Sequence, residues 1–221
     1  MRKVHFPNYL LAFMVIATII FFAKVVPNVS AQPRGSSIRI GLMGDINPLN
    51  PNDVIDRNTL AVVPQIFETL ITLDKSMNFK PHLATSWQTT SDGAAIIFSL
   101  RKGVRFHDGT PFNTIAVKRT FDRMMNEKLK RWTIFANFLK SVEIINENTV
   151  KFNLKGSPGA FLTMLPIAGY IESPAALEKH GKNIGLHPIG TGPFKFAEWV
   201  PDQRIVLEAN KGYWGGEPNL A

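Results

Sequence analysis

The sequence predicts a mixed α/β fold of the α+β kind. Segments with a two-residue apolar period alternate along the chain with segments of helical period, as expected where strands and helices share one core. Apolar residues make up 45% of the 221 residues, which excludes general disorder. No internal repeat or low-complexity tract interrupts the pattern. The length fits one large domain or two small ones.

The first stretch, Met1 to Ala31, reads as a secretory signal rather than core. Arg2 and Lys3 form a positive start, Tyr9 to Ala23 is uncharged and apolar, and Val29-Ser30-Ala31 supplies small residues for cleavage before Gln32. The other reading is an uncleaved membrane anchor, which Lys24 keeps open. The run is shorter than the ~20 residues that span a bilayer. The expected division is therefore a signal over 1–31 and a domain over 32–221.

Within that domain, Ser36 to Met43 predicts an opening strand, and Gly44 to Asp53 a loop rich in Asn, Pro and Asp. Leu60, Val63, Ile66, Phe67 and Leu70 have helical spacing, so Thr59 to Leu70 is expected to be a helix whose start Pro64 displaces. Ile71 to Asp74 and Ser86 to Thr89 are short strand candidates. Ser91-Asp92-Gly93 is a turn, because Asp bonds its own backbone and Gly accepts positive φ. Ala94 to Leu100 follows as a half-buried strand. A second turn, Asp108-Gly109-Thr110-Pro111, leads to Asn113, an N-cap candidate. Val117, Phe121, Met124 and Met125 form one apolar helix face, with Lys118, Arg119, Asp122 and Arg123 opposite.

The stretch Asn126 to Lys140 is mixed and expected to end in a short helix. Ser141 to Lys155 predicts a hairpin turning at Asn146-Glu147-Asn148. Ala160 to Leu165 and Pro174 to His180 predict short helices, the second ended by Gly181. Phe194 to Trp199 and Arg204 to Ala209 predict two strands joined by Val200-Pro201-Asp202-Gln203.

Several chemistries are excluded by what the chain lacks. It has no cysteine, hence no disulfide, thiolate nucleophile or Cys metal site. No G-x-S-x-G is present. The five histidines never fall at ligand spacing, so no metal site is expected. Gly190-Thr191-Gly192 is followed by Pro193 rather than by the Lys of a phosphate loop. No cofactor is expected. His107-Asp108 reads as a strand end and turn rather than a base with its orienter. Formal net charge is +8, or about +5 without the signal, and it is dispersed. Its one cluster, Lys128, Lys130 and Arg131, reads as a solvated helix end, and nucleic-acid binding is not expected.

Three stretches carry a resemblance. Leu100-Arg101-Lys102-Gly103-Val104-Arg105-Phe106-His107-Asp108-Gly109-Thr110-Pro111-Phe112 is the first. Ile189-Gly190-Thr191-Gly192-Pro193-Phe194-Lys195-Phe196, with Glu198-Trp199, is the second. Asn210-Lys211-Gly212-Tyr213-Trp214-Gly215-Gly216 is the third. In order and spacing they resemble the family 5 extracellular solute-binding proteins of ABC importers. One departure is the first turn after Asn113, where Thr114, Ile115 and Ala116 are neutral and the family usually has an acid.

The resemblance implies a lobe of the periplasmic-binding-protein type II-like fold, with the second lobe missing from this chain. It implies a secreted, monomeric, non-enzymatic protein. Such a protein captures peptides or similar small solutes outside the cytoplasmic membrane and delivers them to permease subunits. The missing lipid-bearing Cys fits a free periplasmic form. Nickel chelates, glutathione and oligosaccharides are further ligands of look-alikes. Near the cleft the resemblance places Asn47 and Leu49, Glu68 and Thr69, and Trp132 and Phe135. Glu68 would anchor a cationic group or the opposite lobe, or else bond backbone at a helix end. Tyr170 is a further candidate, with a core role as its alternative. Other functional readings are a membrane-anchored receptor or scaffold domain, and a secreted hydrolase lacking any recognisable nucleophile.

Overall fold

Alternating apolar residues on either side of Ser91–Gly93 and of Asn146–Asn148 are realised as two antiparallel hairpins that share one sheet. The computed structural model describes residues 37–220. The expected signal and its cleavage point lie outside the described residues. In chain order the elements are α1 (Arg57–Ile66), β1 (Ile71–Leu73), β2 (Phe79–Pro81), β3 (Ala84–Thr89) and β4 (Ala95–Leu100). Then come α2 (Thr114–Asn126), α3 (Trp132–Phe135), β5 (Leu139–Asn146) and β6 (Thr149–Leu154). The last are α4 (Pro158–Ala168), α5 (Pro174–His180), a 3-10 helix (Gly181–Leu186), β7 (Phe194–Val200) and β8 (Arg204–Ala209).

The main sheet has the order β3-β4-β6-β5, and all its pairs are antiparallel. In the central pair Ile96 lies opposite Phe152, and Phe98 opposite Val150. All four are buried on the face that α2 covers. Phe121 of α2 meets Phe152 edge-on, with ring centroids 4.9 Å apart, and Phe98 meets the same ring at 5.2 Å. Each phenylalanine buried this fully contributes about 1.5–3 kcal/mol of transfer free energy. The cap of α2 is the expected one: the Asn113 side chain accepts from the Ala116 N–H at 3.1 Å. Its first turn holds no acidic residue.

Four expectations are corrected. Residues 37–43 form no strand: they pair with nothing among the described residues, and Ile40 and Met43 stand 75% and 94% exposed. Pro64 does not displace the start of α1. The helix begins at Arg57, capped by Asp56, which accepts from the Thr59 N–H at 2.8 Å. Pro64 is exposed, so water can serve the Leu60 carbonyl that its missing N–H leaves free, while Val62, Val63 and Ile66 keep the buried face. That helix also stops at Ile66, not Leu70. Gly192 donates its N–H to the Ile66 carbonyl at 2.9 Å, and a Cβ on Gly190 would lie 2.0 Å from the same oxygen. The Gly-Thr-Gly stretch therefore seals a helix end, and only glycine fits there. Lastly, β2 was not expected; it pairs with β1, Ile71 facing Pro81.

A second, smaller core lies beside the first. Ile46, Leu49, Val54, Val62, Val63, Ile66, Phe67 and Tyr170 pack together, with Phe196, Trp199, Ile205 and Leu207 of the β7–β8 hairpin against them. It fixes the long loop before α1 to the rest of the molecule.

Candidate functional site

The loop 44–56 has no regular secondary structure beyond turns, yet nearly every residue in it is tied down. Asp45 accepts from the Asp202 backbone N–H at 2.9 Å and from Trp199 Nε1 at 3.1 Å. The Asp202 bond, with that of Trp199, holds its carboxyl below the usual range. Asn47 donates its backbone N–H to Thr59 Oγ1 at 2.8 Å and its side-chain amide to Asp56 at 2.9 Å. The Leu49 N–H donates to the Gly185 carbonyl at 2.7 Å, where a Cβ on Gly185 would meet Pro48 at 2.8 Å. Asp53 accepts from the Lys130 backbone N–H at 3.1 Å.

Between this loop and the 3-10 helix runs a groove of about 420 Å³. Its polar lining is Asn47, Asn50, Asp53, Asp56, Lys130, Lys182 and Asn183. Pro48, Val54, Ile55 and Leu186 add apolar surface. Rigid backbone, a few charged anchors and apolar patches are the ingredients of a small-molecule site.

Buried polar groups stand behind the loop. Asn52 is fully buried and donates to the Tyr170 carbonyl at 2.9 Å and to Glu172 at 3.2 Å. Glu172 also accepts from Arg123 at 2.7 Å. Complete burial raises the Glu172 carboxyl despite that cation. Arg131 was expected to be solvated, and the structure corrects this: it is only 5% exposed, and Nε donates to the Val54 carbonyl at 3.0 Å. The signal for it in the sequence was slight, a basic residue directly before an aromatic one.

Of the residues the sequence singled out, Asn47 is exposed on the groove and Trp132 is half-buried on α3. Leu49 and Tyr170 lie in the second core beneath it. Phe135 is in the main core, 5.5 Å from the Phe121 ring. Thr69 is buried and donates to the Ile71 carbonyl at 2.7 Å.

Glu68, 2% exposed, does not bond backbone with its carboxylate. The carboxylate accepts from Tyr213 Oη at 2.6 Å, Trp214 Nε1 at 2.8 Å and His82 Nε2 at 2.9 Å. Burial pushes its pKa up, but the His82 and Tyr213 bonds outweigh that and leave it lowered. Burial and the Glu68 bond together raise Tyr213. Arg101 stacks over Trp214 at 4.3 Å. Glu68 and Thr69 are thus away from the groove lining: Glu68 is joined to Tyr213 and Trp214, and Thr69 to the start of β1.

His107 and Asp108 point to different partners. His107 Nε2 lies 2.9 Å from the Gly192 carbonyl, and Asp108 accepts from Ser173 Oγ at 2.7 Å. Burial lowers the His107 pKa, so the ring is neutral at pH 7. Neither serves the other as base and orienter.

The model of bacterial extracellular solute-binding proteins, family 5 (middle region), matches residues 78–221. The chain belongs to this family. It is 38% identical over 185 residues to the glutathione-binding protein GsiB of Escherichia coli O1:K1, covering 82% of this chain and 35% of GsiB. Among solved structures it resembles the oligopeptide-binding protein AppA of Bacillus subtilis in complex with a nonapeptide. There the TM-score is 0.77 and identity 30%, over 86% of this chain and 39% of AppA. It likewise resembles NikZ of Campylobacter jejuni in complex with Ni(L-His), with TM-score 0.69 and identity 31%, over 78% of this chain and 35% of NikZ. These relatives share the periplasmic-binding-protein type II-like fold. The chain spans between about a third and two fifths of their lengths.

Proposed function

We propose that this family 5 chain supplies one lobe of the solute-binding component of an ABC importer. In this reading it takes peptides or similar small solutes outside the cytoplasmic membrane, in the periplasm, and presents them to permease subunits without catalysing any reaction. The observation that carries the reading is the groove beside the loop 47–56: pre-shaped, polar at fixed points, and backed by the second hydrophobic core. Asn47 offers a side chain to the ligand, Leu49 and Tyr170 hold its loop from below, and Trp132 stands half-buried on α3 with Phe135 in the core behind it. Glu68 acts through Tyr213 and Trp214, and Thr69 through its bond to the Ile71 carbonyl. Binding then proceeds by closure, in which a ligand that contacts both lobes favours the closed state.

Backbone amide shifts test this. Glutathione and a set of di- and tripeptides are titrated to millimolar concentration against the 221-residue protein. We expect shifts confined to Asn47, Asn50, Lys130, Trp132 and Lys182 with their neighbours. Shifts centred on the β3 edge or on the outer face of β5, or none with any probe, would sink the reading.

A further inference from the structure

We infer that Arg131 is the positioning residue of the binding wall: its backbone N–H and its guanidinium together set the shape of residues 52–54 by holding the Asn52 and Val54 carbonyls. The inference rests on the reading that the loop 47–56 faces the ligand. Arg131 grips this loop twice. Its backbone N–H donates to the Asn52 carbonyl at 3.1 Å, and its Nε donates to the Val54 carbonyl at 3.0 Å. At its other end Nη1 donates to the carbonyl of Ile167, which the last turn of α4 leaves without a helical partner. Its guanidinium carbon lies 5.5 Å from the centre of the Tyr170 ring. The ring closes through Asn52, whose amide donates to the Tyr170 carbonyl at 2.9 Å.

The selection of arginine here has a physical reason. Among the described residues no carboxylate lies within ion-pair distance of Arg131. An ion pair therefore does not account for its burial, which carries a desolvation cost. A planar fork can donate in two directions at once, to Val54 on the groove side and to Ile167 behind it. Lysine, a single point of charge, cannot span both carbonyls in that geometry. Val54 lines the groove directly, so a shift of its peptide moves the wall itself.

Hydrogen exchange on the whole chain separates positioning from bulk stability. Leu49 and Asp53 have amides bonded inside the loop system, to Gly185 and Asn50, and report its opening. In Arg131→Met, which keeps the volume, and in Arg131→Lys, which keeps the charge, these two amides should exchange about tenfold faster or more. The amides of β4 and β6 should keep their rates, and the urea midpoint should fall only slightly. Unchanged exchange at Leu49 and Asp53 in both variants would overturn the inference. So would an equal acceleration in loop and sheet, which means global destabilisation, or restoration of wild-type rates by lysine. Arg131→Lys carries the test should the methionine variant not fold. No ligand is needed, so a failed shift map with altered loop exchange counts against the ligand reading alone.

Discussion

Glu68 shows how much one side chain can hold. Its carboxylate joins the end of the α1 segment to His82 and to Tyr213 and Trp214 near the chain's last described residue. Removing the charge while keeping the shape, in Glu68→Gln, should destabilise by about 2–4 kcal/mol, because three donors lose a charged acceptor in a buried place. The pH dependence has a definite sign. The folded pKa of Glu68 is lowered, so its contribution is fully present above the unfolded value near 4.5 and is lost as pH falls through the folded value. Glu172 runs the other way: its folded pKa is raised, so its relative contribution is present below the unfolded value and is lost as pH rises through the folded one. Urea midpoints at pH 7 and at about pH 3 should thus show a large wild-type-minus-variant gap at pH 7 and a smaller one in acid. An equal gap at both would exclude a lowered Glu68. The sequence marked Glu68 as notable through its motif. It could not show that the partners lie 145 and 146 positions away, because no local pattern links them.

At the scale of elements, local chemistry was legible wherever the signal was local. Asn113 caps α2 as expected, Asn146 to Asn148 turns the β5–β6 hairpin, and Gly181 ends α5. Elements set by distant contacts were misread. The α1 helix ends at Ile66 because Gly190 and Gly192 press on it from more than a hundred residues downstream. Residues 37–43 alternate like a strand but have no pairing neighbour among the described residues. The neutral first turn of α2 permits a direct test. Ile115 is 52% exposed there, so Ile115→Glu adds a negative charge at the helix start without opening a cavity. Stability should rise by about 0.3–1 kcal/mol at low ionic strength, with the gain shrinking in high salt. Thermal unfolding at both salt levels checks this. A loss of stability at low salt would mean that Ile115 packs more than its exposure indicates.

For the whole molecule, the central quantity is affinity. On the proposed reading the groove is one wall of the binding site, and the chain spans 35% of the GsiB length. A ligand held on one side makes only part of its contacts and gains nothing from closure. Calorimetry on the 221-residue protein with glutathione or short peptides should therefore show dissociation constants of about 1 mM or weaker. Micromolar binding would mean that this lobe suffices. Composition and pattern by themselves determined that this chain folds as mixed α/β, where its hairpins and capped helices lie, and, through three motif stretches, its family. Those features depend on residues close in sequence, whose periodicity and turn chemistry act locally. Only the tertiary structure decided which residues form a groove, which candidate side chains are interior, and that Arg131 and Glu68 are buried knots rather than surface charges. Burial and hydrogen-bond partners are properties of chain segments brought together from far apart.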